Sequence, residues 1–136
     1  MADYLSVSAN SRHEYLVRAI VAGYPIDLLL DTGFTSPGCA TGVGLDTASF
    51  RRVRQQLQQP TRVLVDGFQG PQVPAQGGLG IVELLGLDGS RLETLIINVG
   101  ANLLGVCYFH RLSGFRVVWD LAARTMSIER GVSSSG

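Results

Sequence analysis

The chain has 136 residues, of which 46% are hydrophobic and 16% charged, and its 11 arginines balance 11 acidic residues. This length and composition are typical of one soluble domain with a modest core. The balanced charge argues against nucleic acid or an anionic membrane as a partner, and the absence of lysine excludes P-loop lysines and Schiff-base chemistry.

The first predicted elements are an N-terminal arm and a hairpin. Residues 1–12 are small and polar, and they form either a frayed arm or part of a dimer contact. Glu14–Ile20 and Ile26–Leu30 are predicted to be strands, joined by a turn at Ala22-Gly23-Tyr24-Pro25.

Asp31 directly follows the apolar end of the second strand. A carboxylate at such a place is costly unless it has a task, which makes Asp31 the candidate catalytic residue. The Thr32 hydroxyl can hydrogen-bond a neighbour, and Gly33 lets the backbone N–H approach the carboxylate. The turn predicted to hold Asp31 comprises Thr32, Gly33, Phe34 and Thr35. A plain turn aspartate is the alternative interpretation.

A helix is predicted over Asp46–Gln59, because Asp46 or Thr47 can cap it and Pro60 ends it. Its arginines, Arg51, Arg52 and Arg54, are interpreted as a solvated face.

A hairpin is predicted next, with strands at Arg62–Val65 and Pro71–Ala75. Its tip comprises Asp66, Gly67, Phe68, Gln69 and Gly70. Glycines on both sides of an aromatic residue favour a mobile tip that can cover a ligand. We interpret the tip as a flap, with an ordinary surface hairpin as the alternative.

The remaining predicted elements are mostly strands. They are strands at Gly80–Leu85 and Leu92–Val99 around an Asp88-Gly89 turn, one short helix at Leu103–Leu112, strands at Phe115–Asp120 and Thr125–Glu129, and a disordered tail at residues 131–136. Many short strands with one or two short helices indicate an all-β, partly closed barrel.

This order of elements resembles the single-domain, retroviral-type (retropepsin-like) aspartic proteases. The resemblance rests on a hairpin leading into Asp31-Thr32-Gly33, a flap hairpin, the apolar pair and glycine of Leu103-Leu104-Gly105, a short helix and a closing strand. It covers about Tyr15 to Arg130 and is closest to bacterial members with Phe after the Asp-Thr-Gly glycine. It implies a retropepsin-like partly closed β-barrel with a flap, over residues 13–130.

The resemblance further implies an aspartic endopeptidase with a peptide or protein substrate and no cofactor or metal. Such hydrolysis needs two carboxyl groups that share a proton around one water, and this chain has one Asp-Thr-Gly. A second Asp31 would come from a twofold-related subunit, with Thr32 hydrogen-bonding across the axis, so a homodimer is required. Leu103, Leu104 and Gly105 would pack behind the catalytic turn and fix its shape.

The sequence has three other interpretations. A non-catalytic domain of the same fold could dimerise or bind a peptide strand. Cys107 and His110 stand three residues apart on the predicted helix, which suggests a cysteine hydrolase, but no oxyanion hole accompanies them. His13, His110 and the cysteines are too scattered to favour a zinc site. Val106 and Cys107 also stand where relatives often carry Arg and Asp respectively.

The sequence also bears on location. No run of about 20 apolar residues is present, and the first residues lack a basic region followed by an apolar stretch. We therefore expect a soluble, cytoplasmic protein with no membrane contact. Cys39 and Cys107 could form a disulfide, but without a secretory signal two reduced thiols are expected.

Overall fold

A computed structural model describes the backbone of residues 4–67 and 70–131, without the side chains of residues 66–70. Within that part the chain forms ten strands and two α-helices. They are β1 (Tyr4–Ser8), β2 (Leu16–Val21), β3 (Tyr24–Asp31), β4 (Thr41–Leu45), α1 (Thr47–Val53), β5 (Gln58–Gly67), β6 (Gly70–Leu84), β7 (Leu92–Asn98), β8 (Leu103–Gly105), α2 (Val106–Arg111), β9 (Phe115–Asp120) and β10 (Thr125–Arg130).

Seven of the strands form one sheet in the order β2-β3-β8-β4-β7-β6-β5. An additional antiparallel pairing between β2 and β6, from Ala19↔Leu84 to Val21↔Val82, closes six of them into a ring. β5 stays outside the ring and pairs with β6. The prediction of an all-β barrel is therefore confirmed.

Alternating side chains build the barrel core. In β2, Val17, Ala19 and Val21 are buried while Arg18 between them faces solvent, as expected for a strand with one face on the core. Tyr108 of α2 is the largest fully buried side chain, and its hydroxyl donates to the carbonyl oxygen of Ser90. Burial raises the pKa of the Tyr108 phenol above its ordinary value.

The β2–β3 hairpin turns more tightly than predicted. Its loop is Ala22-Gly23, with φ angles of 49° and 92°, and Tyr24 and Pro25 belong to β3. Positive φ at both loop residues matches the twist of the flanking strands, so the ladder runs to Val21↔Tyr24.

A second, three-stranded sheet has the order β1-β10-β9. The N-terminal arm contains β1, which pairs with β10 of its own chain from Tyr4↔Glu129 to Ser8↔Thr125. Leu5 and Val7 of β1 pack against the core. The predicted strand Phe115–Asp120 matches β9, and the predicted tail beyond residue 131 lies outside the described residues.

Both predicted helices are too long. α1 ends at Val53 and is followed by a 3-10 turn at Arg54–Gln56, although Asp46 caps it as predicted by accepting from the Ser49 N–H at 2.7 Å. Leu103–Gly105 is strand β8, because its backbone pairs with both β3 and β4. The helix there is only Val106–Arg111.

The predicted break between strands near residue 77 is also wrong, because β6 runs unbroken from Gly70 to Leu84. Glycines suit this strand because neighbouring side chains lie so close to it that they leave no room for a Cβ atom. A Cβ added to Gly77 would lie 2.8 Å from Ile97 Cγ2, and one added to Gly80 would lie 2.7 Å from Leu57 Cδ2.

Cys39 and Cys107 form a disulfide, with their Cα atoms 4.9 Å apart, so the expectation of two reduced thiols is wrong. It joins the 3-10 turn at Pro37–Cys39 to α2. The cysteine-hydrolase interpretation is contradicted too, because Cys107 is 0% exposed and its sulfur is bonded. Among the described residues, no helix is long and apolar enough to cross a membrane.

Candidate active site

Asp31 is the last residue of β3 and is half-buried. Its Oδ1 accepts from the Gly33 N–H at 2.9 Å, and its backbone carbonyl accepts from the Phe34 N–H at 3.2 Å. These two bonds close a tight turn around the carboxylate. The second carboxylate oxygen accepts no hydrogen bond from a described residue, so it can meet water or a substrate.

The two threonines of the turn are exposed. Neither the Thr32 nor the Thr35 hydroxyl forms a hydrogen bond with any residue that the structure describes. A hydrogen bond from the Thr35 hydroxyl that supports the Asp31 turn therefore stays a prediction. The hydrogen bond from Thr32 across a twofold axis also stays a prediction.

Phe34 is held in a slot formed by two glycines. A Cβ added to Gly44 in β4 would lie 3.2 Å from Phe34 Cζ. A Cβ added to Gly105 in β8 would lie 2.8 Å from Phe34 Cδ2 and 2.6 Å from its carbonyl oxygen. Because Gly44 and Gly105 have no side chain, the Phe34 ring can lie against both β4 and β8, and the Phe34 carbonyl can lie against β8.

The Leu103-Leu104-Gly105 segment lies directly beside β3, the strand that ends at Asp31. As β8 it runs parallel to β3, with Leu30 opposite Leu104 and Asp31 opposite Gly105. Leu104 is 0% exposed and also pairs with Val43 of β4. This placement suits the predicted role of shaping the turn, which stays a prediction.

Asn102 adds two links that the sequence did not reveal. Its backbone carbonyl accepts from the Leu29 N–H at 2.9 Å, and its side-chain oxygen accepts from the Asp46 N–H at 2.8 Å. It therefore ties β3 to the start of α1.

The segment that leaves the turn is held at Ala40. The Ala40 carbonyl oxygen accepts from Leu95 N at 3.2 Å, from Thr94 Oγ1 at 3.2 Å and from Arg111 Nη1 at 3.3 Å. Together with the Cys39–Cys107 disulfide, these bonds fix residues 39–40 to β7 and α2. Sequence reasoning considered the disulfide but expected reduced thiols because it found no secretory signal, and it missed Arg111 because the partner of Arg111 lies far away along the chain.

Part of the predicted flap lies outside the residues that the structure describes. β5 and β6 pair from Gln58↔Leu79 to Gly67↔Gly70, which forms the stem of a long hairpin. Phe68 and Gln69 lie outside the described residues, and nothing is described of the Asp66 side chain. On the stem, Leu64 is 65% exposed and Val73 is 47% exposed.

Comparison with solved structures decides the fold. The retropepsin-like aspartic protease from Rickettsia conorii aligns over 93% of this chain and 90% of its own, with a TM-score of 0.63 and 17% identity. The chain has the retropepsin-like fold. EIAV protease, solved in complex with the inhibitor HBY-793, aligns over 82% of this chain and 100% of its own, with a TM-score of 0.57 and 20% identity.

The structural resemblance confirms the one inferred from sequence, at the level of the fold. No protein-family model and no curated protein sequence matches the chain. Since a retropepsin-like fold alone does not establish catalysis, the activity has to be argued from Asp31 and its surroundings.

Proposed function

We propose that this chain is an aspartic endopeptidase that acts as a homodimer, with Asp31 of each subunit in one shared site. The observation that carries the proposal is the half-buried Asp31 carboxylate, fixed by the Gly33 N–H at 2.9 Å in a retropepsin-like fold. The chain has a single Asp-Thr-Gly, so the second carboxylate has to come from another copy.

The chemistry needs one proton shared between the two carboxyl groups. The ionised carboxylate removes a proton from the water, whose oxygen attacks the carbonyl carbon of the scissile bond. The protonated carboxyl gives its proton to the carbonyl oxygen. Collapse of the tetrahedral diol then breaks the C–N bond: the carboxyl that took the proton of the water gives it to the leaving nitrogen, and the other carboxylate takes a proton from a diol hydroxyl, which restores the pair. Coupled titration of the pair implies a bell-shaped pH profile.

The substrate would be an extended peptide or protein segment. Backbone groups near Gly33 and on the flap can pair with it as an added strand. The register Leu64↔Pro74 and Val65↔Val73 places the exposed side chains of Leu64 and Val73 on opposite faces of the stem, so one of the two would contact apolar residues of the substrate. Neither nucleic acid nor a membrane has a role in this proposal.

Cytoplasmic location remains a prediction from the sequence. The Cys39–Cys107 disulfide favours an oxidising compartment instead, because cytosolic thiols are generally kept reduced. Measuring the thiol content of the protein purified under alkylating conditions from its native cells would decide between the two.

The test of the activity is cleavage of a diverse peptide library from acidic to neutral pH at high protein concentration. Asp31→Asn is expected to fold and to lose cleavage, since an amide cannot act as the general base. Asp27→Asn is the matched control, because Asp27 lies on the same strand and is exposed in an ion pair with Arg18 at 3.2 Å.

Equal cleavage by the wild type and Asp31→Asn would overturn the proposal. Absence of cleavage by the wild type at every pH, with retained peptide binding, would favour a non-catalytic peptide-binding domain of the same fold. A monomer at the highest concentration tested would also contradict the shared site.

A further inference from the structure

Two clefts flank the stem of the β5–β6 hairpin and share Pro60 and Thr61. The first, of about 440 Å³, lies between the stem and α1 and is lined in part by Arg54 and Arg62. The second, of about 710 Å³, lies on the side of the segment that follows the catalytic turn and is lined in part by Arg111. We call them the α1 cleft and the α2 cleft.

Both clefts are positively charged. Arg54, Arg62 and Arg111 are exposed, and among the side chains that the structure describes no acidic one lines either cleft. Within the described part of the chain, none of the three forms an ion pair, whereas Arg18 and Arg116 do. The chain as a whole is neutral, so the positive charge around the stem is a local feature.

The α2 cleft is connected to the catalytic turn through two segments. Gly38 and Ala40, which line it, belong to the segment that leaves the turn, and Gly38 has open space around it. Arg111 ends α2, which begins directly after Gly105, the residue opposite Asp31. A peptide lying along the flap stem would therefore pass this cleft on its way from the scissile bond.

Arg111 is placed to bind a carboxylate. Its Nη1 donates to the Ala40 carbonyl at 3.3 Å, which orients the guanidinium while leaving its other N–H donors uncommitted among the described residues. A guanidinium presents its donors in a fixed fork that matches a carboxylate with two parallel hydrogen bonds.

We propose that Arg111 is a specificity-determining residue that binds a carboxylate of the substrate in the α2 cleft. The effect of Arg111 on cleavage rests on the function proposed above. The binding of acidic peptides does not rest on that function, because binding requires only the α2 cleft and Arg111.

The test measures peptide binding to the non-cleaving Asp31→Asn protein. Fluorescence anisotropy reports the binding, at low and at moderate salt. The probes are labelled library peptides carrying Asp or Glu at one position, each paired with its Asn or Gln analogue. Each acidic peptide is also made with an amidated C-terminus, which distinguishes a side-chain carboxylate from a terminal one.

Arg111→Gln removes the charge, and Arg111→Glu reverses it. The matched control is Arg124→Gln, because Arg124 is also exposed and also donates to a backbone carbonyl, that of Asn10 at 2.9 Å, on the β9–β10 turn. Circular dichroism of each variant verifies that it folds.

We expect acidic peptides to bind about tenfold more tightly than their amide analogues, with a preference that weakens as salt rises. Arg111→Gln should remove this preference, Arg111→Glu should invert it toward basic peptides, and Arg124→Gln should leave it unchanged. Equal binding of acidic and amide peptides, absence of binding, or an equal effect of Arg124→Gln would overturn the proposal.

The outcome also separates this proposal from the proposed function. If the protein prefers acidic peptides in binding but the wild type cleaves none, the proposed protease activity is contradicted. The proposed carboxylate site in the α2 cleft is then still supported. Cleavage that is lost in Asp31→Asn but shows no acidic preference would overturn the cleft assignment alone.

Discussion

At the scale of single residues, Phe34 explains how the Asp31 turn is held. A Cβ at position 105 would collide with its ring and its carbonyl oxygen, and a Cβ at position 44 would press against its ring at 3.2 Å. Phe34 therefore acts as an anchor between β4 and β8, next to the residue that we propose to be catalytic. We propose that Phe34 positions Asp31, because its N–H donates to the Asp31 carbonyl at 3.2 Å.

Phe34→Ala is expected to lower the free energy of unfolding by about 2–3 kcal/mol, less than for a fully buried phenylalanine because Phe34 is half-buried. It should also lower kcat more than it raises KM, because the carboxylate loses its fixed orientation. Urea denaturation and peptide cleavage measure the two effects.

Phe115→Ala is the control for that variant. Phe115 is also half-buried, but it lies on β9 beneath the Arg130 guanidinium, which is 4.7 Å from its ring centre. It should lose comparable stability with kcat nearly unchanged. Equal losses of kcat in the two variants would show that Phe34 acts only through global stability.

The sequence predicted the Asp31 turn because its signals are local. An apolar run, an acidic residue and a glycine occupy adjacent positions, and the Gly33 N–H bonds the Asp31 side chain two residues away. The Phe34 slot has no such local signal. It depends on Gly44 and Gly105, which are brought together only when β4 pairs with β8.

At the scale of elements, the Cys39–Cys107 disulfide joins the segment after the Asp31 turn to α2. Its two cysteines are separated by 68 positions in the chain. A cross-link over a loop of this length restricts the unfolded chain strongly, so it should contribute substantially to stability.

The double variant Cys39→Ser/Cys107→Ser is expected to lower the free energy of unfolding by about 4 kcal/mol. Denaturation midpoints measured with and without a thiol reductant test this. The reductant should destabilise the wild type and leave the double variant unchanged, since the chain has no other cysteine. A wild-type midpoint that does not respond after complete reduction would contradict the prediction.

Element boundaries were predictable where periodicity was long enough. β9 and β10 show clear apolar patterns, and their predicted bounds agree with the structure to within one residue. β8 has only three residues, too few to separate a strand from the start of a helix. β1 carries two core-facing apolar residues, and only its pairing with β10 makes it a strand.

At the scale of the whole molecule, the barrel was predictable because many short strands and few helices leave few other architectures. Its closure through β2 and β6 was not, because that contact joins strands far apart in the chain. The homodimer that we propose follows from the proposed chemistry: one chain offers one Asp-Thr-Gly, whereas hydrolysis by this mechanism requires two carboxyl groups.

The shared site predicts how wild-type and Asp31→Asn subunits behave when mixed. If each active dimer needs two intact Asp31 residues, mixed dimers are inactive and the variant withdraws wild-type subunits from active pairs. Subunits must be mixed above the dimer dissociation constant and allowed to exchange before cleavage is measured. Asp27→Asn subunits, which keep Asp31, serve as the control.

The most direct measurement is therefore peptide cleavage at a fixed amount of wild type with increasing Asp31→Asn. Activity should fall to about half at an equal amount of variant and to about a quarter at a threefold excess, as random pairing requires. The Asp27→Asn control should not lower it. Activity that stays constant or rises as Asp31→Asn is added would show that a subunit is active without the Asp31 of its partner and would contradict the shared catalytic site.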